Sequence, residues 1–354
     1  MSRRYLDAFS PTPPTDIPIW MMRQAGRYLP EYRAIRNEHS FLDMVYNPDI
    51  AAEITMQPIR RFGFDAAILF SDILVTPQAL GMELSFNEGV GPRFKSPIRS
   101  KDCLKRLSHS SNVLAPIYDT IRQLRSMLPE QTALIGFAGA PFTVASYMIE
   151  GGTSKDLKTT KKMMVGAPNT FQEIINTLTK ITVDYLEQQV IAGAEALQIF
   201  DTWMTHLDWA ACEQYSATPL KQMVDDLRQR GVTVPITFFG KQTSVFTPLL
   251  VDSGIQAISM DWNANMAHMD ANLPTNIGLQ GNLDPFLLHG PKPLIQSRVQ
   301  AICSAIQSGR PFIFNLGHGL MPDIPISAVE WVIEAVRNHT RALPVAPAGD
   351  VYQN

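Results

Sequence analysis

The chain has 354 residues, 45% hydrophobic and 18% charged, which gives one large α/β domain or two average ones their core and excludes a small stapled module or a disordered chain. Its 30 Lys and Arg against 33 Asp and Glu leave a formal net charge of -3, so no global basic field exists to hold nucleic acid, and any anionic ligand must be met by local positive charge. Cys103, Cys212 and Cys303 are too scattered for close metal spacing or a disulfide framework; with no signal-peptide core and no apolar run of about 18 residues, the chain reads as soluble and cytoplasmic.

No composition break divides the sequence. It reads as a single domain over 1–354, with loose ends at about 1–16, where Ser10–Thr15 is Pro-rich, and at 343–354. The first predicted strand, Ile17–Met22, runs into Arg23-Gln-Ala-Gly-Arg27. Two guanidinium forks at a strand end, with Gly26 allowing close approach, suit carboxylate or phosphate binding. Arg33 and Arg36, which follow, read equally well as a solvated or structural basic stretch. Asn47-Pro48 places a cap before a helix-starting proline, and Pro58 predicts an early kink or break in that helix.

The second strand, Ala66–Phe70, ends in Ser71-Asp72. For Asp72 three chemical roles are open: metal ligand, general base, or counter-ion to a developing cation. The metal role is weakest, because no second ligand stands at a suitable spacing. A helix N-cap is the structural alternative. Strand Ala133–Phe137 leads through a Gly/Ala/Pro turn into a helix bearing Tyr147, which by itself reads as a core residue. Thr170-Phe-Gln-Glu173 has the pattern of a capping box opening a helix through Ile174, Leu178, Ile181 and Tyr185 to Gly193. Strand Ala196–Phe200 then meets Asp201-Thr202-Trp203.

Four further strands are predicted at Val232–Phe239, Ala257–Met260, Thr275–Leu279 and Phe312–Leu316. Thr247-Pro248 and Ser327-Ala-Val-Glu330 read as helix starts. The last strand ends in Gly317-His318-Gly319, which puts the side chain that most readily changes charge near neutral pH between two glycines. About eight short apolar strands alternating with helices predict a (β/α)8 TIM-type barrel. A doubly wound sheet should carry GxGxxG after its first strand, and none is present. In a parallel barrel all the strand ends lie on one face. Arg23, Arg27, Asp72, Thr202, Asp261, Asn282 and His318 are therefore expected to converge.

Together these stretches resemble the uroporphyrinogen decarboxylase family over about Ile17–Arg341. PIWMMRQAGRYLPEYR and GFAGAPFTVASYMIEGG are close to its two long signatures, and FSDIL, QIFDTW, LQGNLDP and NLGHG follow in the family's order. The resemblance implies a (β/α)8 barrel, a homodimer, no cofactor and no metal, and a tetrapyrrole substrate, uroporphyrinogen, that loses four CO2. It implies catalytic roles for Asp72, Arg23, Arg27 and Tyr147, and substrate contacts from those four with Thr202 and His318. Tyr147 is thereby promoted from a core residue. Two stretches depart from the family pattern. Thr202-Trp-Met-Thr stands where Ser-Trp-Ala-Gly is usual, and Phe239-Gly-Lys-Gln-Thr-Ser244 differs from the usual Lys-Gly-Ala-Gly. The competing readings are a zinc-dependent methyltransferase of the same superfamily, which needs a His-x-Cys pair absent here, and a tetrapyrrole-binding barrel without turnover.

Overall fold

Among the described residues nine strands follow one another: β1 Ala66–Ile68, β2 Leu84–Asn87, β3 Gly91–Phe94, β4 Ala133–Gly139, β5 Ala196–Asp201, β6 Ile236–Gly240, β7 Ala257–Ser259, β8 Gly278–Leu283 and β9 Phe312–Leu316. They come from a computed structural model that describes residues 2–339 apart from 88–90 and 109. Seven of the strands form one parallel sheet in the order β1-β4-β5-β6-β7-β8-β9, which curls into a barrel with helices in the connections. Every residue of β4, β5, β6, β8 and β9 is buried, so continuously apolar runs are what the position demands. An antiparallel hairpin, β2 with β3, stands apart from this sheet and has no counterpart among the predicted strands. The apolar side chains pack into one core.

The expected first strand is the one that differs most. Ile17–Met22 is not a regular strand but an extended segment crossing the gap between β1 and β9. It meets β9 at a single parallel bridge, Ile19 with Phe314, where the Phe314 amide donates to the Pro18 carbonyl at 2.8 Å. On its other side the Asp65 amide donates to the Ile19 carbonyl at 3.0 Å. Pro18 has no N–H, so a full ladder cannot form there. The Asp65 carboxylate takes the Ile19 amide instead, at 2.7 Å, and also holds Arg337 at 2.9 Å. The N-terminal end expected to be loose is docked: Tyr5 of the short helix Arg4–Asp7 is buried, and Arg3 pairs with Glu195 at 2.6 Å. The predicted C-terminal tail, 343–354, lies outside the described residues.

Strand β8 begins three residues later than expected and runs four residues further, because Gln280 and Asn282 read as the loop beyond it. They are interior instead. Gln280 accepts from the Trp20 indole at 2.9 Å and donates to Ser259 at 2.9 Å and Gln198 at 3.2 Å. A polar layer centred on Gln280 thus lies inside the barrel where sequence patterning expects only apolar groups. Strand β6 likewise starts at Ile236, four residues after the predicted start at Val232.

Several helix starts also move. The long helix runs Pro168–Ala192, opening on Pro168 two residues before the supposed box at Thr170, so that box does not form. The last helix, Ile326–Arg337, opens without a side-chain cap, leaving Ser327 inside it. Asn47 does cap helix Pro48–Phe62, accepting from Asp49 and Ile50. Pro58 does not end its helix, and Thr247-Pro248, read as a helix start, lies inside helix Thr243–Leu250, which begins four residues earlier. In helix Thr243–Leu250 the Thr247 hydroxyl bonds the Ser244 carbonyl at 3.3 Å, the acceptor that the amide of residue 248 would otherwise fill.

Asp65 is the staple of the barrel gap. Asp65→Ala should destabilise the fold by about 2 kcal/mol, since it strands the buried Ile19 amide and frees Arg337. Asp65→Asn, which keeps an acceptor for Ile19, should cost less. Urea midpoints of the two variants at neutral pH check this, and equal midpoints with the parent would remove the staple role.

Candidate active site

The C-terminal ends of the parallel strands open onto one face, and the candidate residues are carried there by different segments. Beyond the barrel gap, Met22 donates its amide to the Asn315 side chain at 2.9 Å, and its carbonyl accepts from Leu320 at 2.9 Å. The chain then turns at Arg23, whose φ of 62° places it in the left-handed region. The Arg23 stem lies across Gly319: a Cβ there would fall 2.6 Å from Arg23 Cγ and 2.9 Å from Nε. The glycine after His318 is therefore the seat of the arginine. Arg23 keeps an exposed side chain and makes no salt bridge among the described residues.

Asp72 follows β1. The strand's exit is held by the Phe70 amide on Thr55 at 3.0 Å. Asp72 Oδ1 accepts from the Leu74 amide at 2.8 Å, a local turn and not a cap of the helix Val75–Ala79, which starts without a side-chain cap. Oδ2 has no protein partner among the described residues. Burial pushes the Asp72 carboxyl up to about 6, against the Leu74 amide and the Arg23 charge, which pull it down. Tyr147, on helix Pro141–Glu150, is held above the usual phenol range by burial, with the Asp72 charge adding to it. His318 is pushed down to about 3 by burial and then by the positive charges of Arg23 and Lys241. It is a neutral imidazole near pH 7, so the charge change expected from its residue type does not occur there.

Arg23, Asp72, Tyr147 and His318 therefore share one electrostatic neighbourhood. Thr202 sits half-buried at the end of β5, next to Trp203, whose ring meets that of Tyr147 at 5.9 Å. Arg27 is on the rim. It is exposed, its charge acts on Tyr32, and the Tyr32 ring meets Phe70 edge-on at 5.9 Å. Arg33 and Arg36 are structural, donating to the carbonyls of Arg27 and His39 respectively, both at 2.8 Å. Asp261 and Asn282 support the loops. Asp261 accepts from the Gln242 amide at 2.8 Å, and Asn282 donates to the carbonyls of Asp261 and Ala264.

Beneath these groups runs a row of aromatic rings from neighbouring strands. Phe137 meets Phe200 at 5.7 Å, Phe200 meets Phe239 at 5.9 Å, and Phe239 meets His318 at 5.9 Å. Three residues of this mouth are not singled out by the sequence. Trp203 stands beside Thr202, and Lys241 lies within the departing stretch Phe239–Ser244. Asp201, fully buried, accepts from Thr143 at the start of helix Pro141–Glu150 and from the Ser216 hydroxyl at 2.5 Å, so it fixes the helix carrying Tyr147. Its place at the end of an apolar strand, one residue before Thr202, was the available signal. Among the described residues no three His, Cys, Asp or Glu side chains are grouped to hold a metal ion, and no helix is long and apolar enough to cross a membrane.

A barrel mouth that gathers exposed guanidinium groups, a partly free carboxylate and a row of aromatic rings at the C-terminal strand ends is the arrangement of an α/β-barrel enzyme. The family model described as "Uroporphyrinogen decarboxylase (URO-D)" matches residues 2–339. A uroporphyrinogen decarboxylase of Chelativorans sp. is 45% identical over 95% of this chain and 98% of its own. One of Rhizorhabdus wittichii is 44% identical over 90% and 93%. This chain belongs to the uroporphyrinogen decarboxylase family. In fold it also resembles a methyltransferase from Methanosarcina mazei, with a TM-score of 0.78 over 94% of this chain and 97% of that one at 18% identity.

The raised pKa of Asp72 carries a stability cost. From about pH 4 to about 6 the folded protein holds a proton that the unfolded chain has lost, so stability falls as pH rises through that window. Asp72→Asn should remove this penalty and be more stable than the parent above pH 6, by on the order of 1 kcal/mol. Below about pH 4 the two should converge. Thermal melts across pH 4 to 8 test it, and a pH-independent difference would show that burial of the charge is not the cause.

Proposed function

We propose that this chain removes CO2 from the four acetate side chains of uroporphyrinogen III, giving coproporphyrinogen III, and that Asp72, Arg23, Arg27, Tyr147, Thr202 and His318 do the work. The observation that carries this reading is Asp72, half-satisfied and unpaired, beside an equally unpaired Arg23 above an aromatic floor.

The reduced macrocycle can serve as its own electron sink. Protonation of a pyrrole α-carbon makes a ring cation. The bond from the acetate methylene to the carboxylate carbon then breaks, its electron pair returns to the ring, and CO2 leaves. A proton on that methylene completes the methyl group, and the ring cation this leaves loses the proton first added at the α-carbon, so the neutral pyrrole is restored with one proton consumed and one CO2 released. The protein has to stabilise the cation and hold the carboxylates. Asp72, ionised above about pH 6, supplies a fixed negative charge where the cation develops, and its free oxygen can accept pyrrole N–H groups. At about 4 Å in a partly dry site such a pair is worth about 4 kcal/mol. Arg23 and Arg27 bind acetate or propionate groups as planar forks, overcoming locally the repulsion between an octa-anion and a chain of net charge -3. Tyr147, a phenol held protonated, and His318, a neutral imidazole, donate hydrogen bonds without adding charge. The edge-to-face row of Phe137, Phe200 and Phe239 gives the mouth a rigid apolar support. A single cytoplasmic domain acting as a homodimer completes the reading, and sedimentation equilibrium tests the dimer.

Anaerobic incubation with uroporphyrinogen III, followed by counting carboxylates on the products, tests the activity. Products of seven, six, five and four carboxylates are expected, and an unchanged octacarboxylate would overturn the reading. Asp72→Asn should lower turnover on the order of 100-fold or more, and Asp72→Glu should retain more activity. In the parent, kcat/KM should fall as pH drops through about 6. Turnover should also survive prolonged chelation; loss restored by added zinc would favour the methyltransferase reading.

A further inference from the structure

Like Arg23, Lys241 at the barrel mouth has an elaborate placement and no salt-bridge partner among the described residues. It follows directly on β6, half-buried. The turn that presents it is fixed on three sides. The Gln242 amide is tied to the buried Asp261 at 2.8 Å, with Gln242 itself at φ 56°. The Gln242 side-chain oxygen accepts from the Thr205 hydroxyl at 2.8 Å, and the Thr243 hydroxyl closes back on the Gly240 carbonyl. Met204 fills the space where residue 240 would carry a side chain: a Cβ there would fall 2.8 Å from its Cγ and closer still to its sulfur. The β5 and β6 exits are thereby locked together.

From this turn the ammonium lies 5.8 Å from the centre of the Trp203 ring. Trp203 meets Tyr147 on one side and His206 at 5.7 Å on another. The Lys241 charge also acts on His318. No carboxylate lies within salt-bridge distance of it among the described residues. The acidic groups at the ends of the two neighbouring strands are already engaged, Asp201 at the end of β5 by Thr143 and Ser216, and Asp261 after β7 by Gln242 and Asn263. A lysine ordinarily extends into water or pairs with an acid. This one is stacked on an indole in a stiff turn, facing the residues of the site.

We propose that Lys241 is a further binding residue of this site, holding a peripheral carboxylate of the substrate on the Trp203 side of the mouth, away from Arg27 on the rim. The proposal rests on the decarboxylase reading for the identity of the substrate, but the chemistry it needs is only a polycarboxylate seated over the aromatic row. An ammonium suits this place. It can pivot among several oxygens as the substrate changes, whereas the arginine forks fix one geometry.

The test compares the full chain with Lys241→Gln and Lys241→Arg. Steady-state kinetics with uroporphyrinogen III, and equilibrium binding of uroporphyrin, the stable oxidised octacarboxylate, are measured in parallel with ligand-free melting. Lys241→Gln should raise KM and the uroporphyrin Kd by about tenfold, leave kcat within about threefold, and melt like the parent. Lys241→Arg should recover most of the affinity. Unchanged KM and Kd in Lys241→Gln would overturn the proposal. So would a loss of affinity that comes with a lowered melting temperature and is not restored by Arg, since that marks a purely structural role. If the parent failed to turn over uroporphyrinogen, the decarboxylase reading would fall, and uroporphyrin binding alone would decide for or against the anchor.

Discussion

The passage of Pro18–Arg23 through the gap between β1 and β9 is the constraint on which the site depends. A parallel sheet of seven strands leaves two edges to be satisfied. Here they are bridged by a segment that cannot pair fully, because Pro18 lacks a donor. Asp65 replaces the missing main-chain partner, and the Phe314 amide secures the other side. Hydrogen bonds from side chains and both flanking strands hold the crossing segment as far as Met22, and the chain turns sharply only as it leaves the mouth. Arg23 takes that turn with a backbone that few residues adopt, and Gly319 gives its stem room. Barrel closure and arginine placement are two ends of one short stretch of chain.

The electrostatics follow from that placement. Arg23 lies close enough to Asp72 to favour its ionised form, but not close enough to pair with it. Burial outweighs the attraction and leaves the carboxyl near 6. A salt bridge would have made both groups more stable and less useful. Burial keeps His318 neutral, and the same arginine adds to the effect together with Lys241. One end of the barrel therefore holds positive charge for carboxylates, a single negative charge for a cation, and neutral donors between them. A net charge of -3 over the whole chain conceals this separation completely.

Much of this was legible in the sequence, for identifiable reasons. The strands that run continuously apolar, such as Ala133–Phe137 and Ala196–Phe200, sit where periodicity puts them because helices bury one face and the barrel interior the other. Legibility failed where a tertiary partner overrode a local rule. Gln280 and Asn282 lie inside a strand because Trp20, Ser259 and the Asp261 loop meet their polar groups, and no local pattern announces those partners. Thr170 and Ser327 have good capping patterns but lie one or two residues inside helices that begin without a side-chain cap. Within the site, Arg23, Asp72 and His318 could be chosen because strand-end polar residues share one face of a barrel. The different standing of Arg27 on the rim and the neutrality of His318 required distances and burial.

The two stretches that depart from the family pattern turn out to touch. Read along the sequence, Thr202–Thr205 and Phe239–Ser244 are separate oddities at the ends of different strands. In the fold they are adjacent, because β5 pairs with β6 and Asp201 stands opposite Gly240. Met204 occupies the space left by Gly240, and Thr205 bonds the Gln242 side chain. A large residue on one strand end matches an absent side chain on the other, so the pair is best understood as one packing unit. Its effect on the mouth is indirect: it stiffens the turn that bears Lys241 and the segment that bears Trp203. Such a unit can alter rim shape while leaving Arg23, Asp72 and the aromatic floor where they are. Its structural reach is therefore the Trp203 side of the mouth, where peripheral carboxylates would sit, and not the carboxylate that faces the reacting ring.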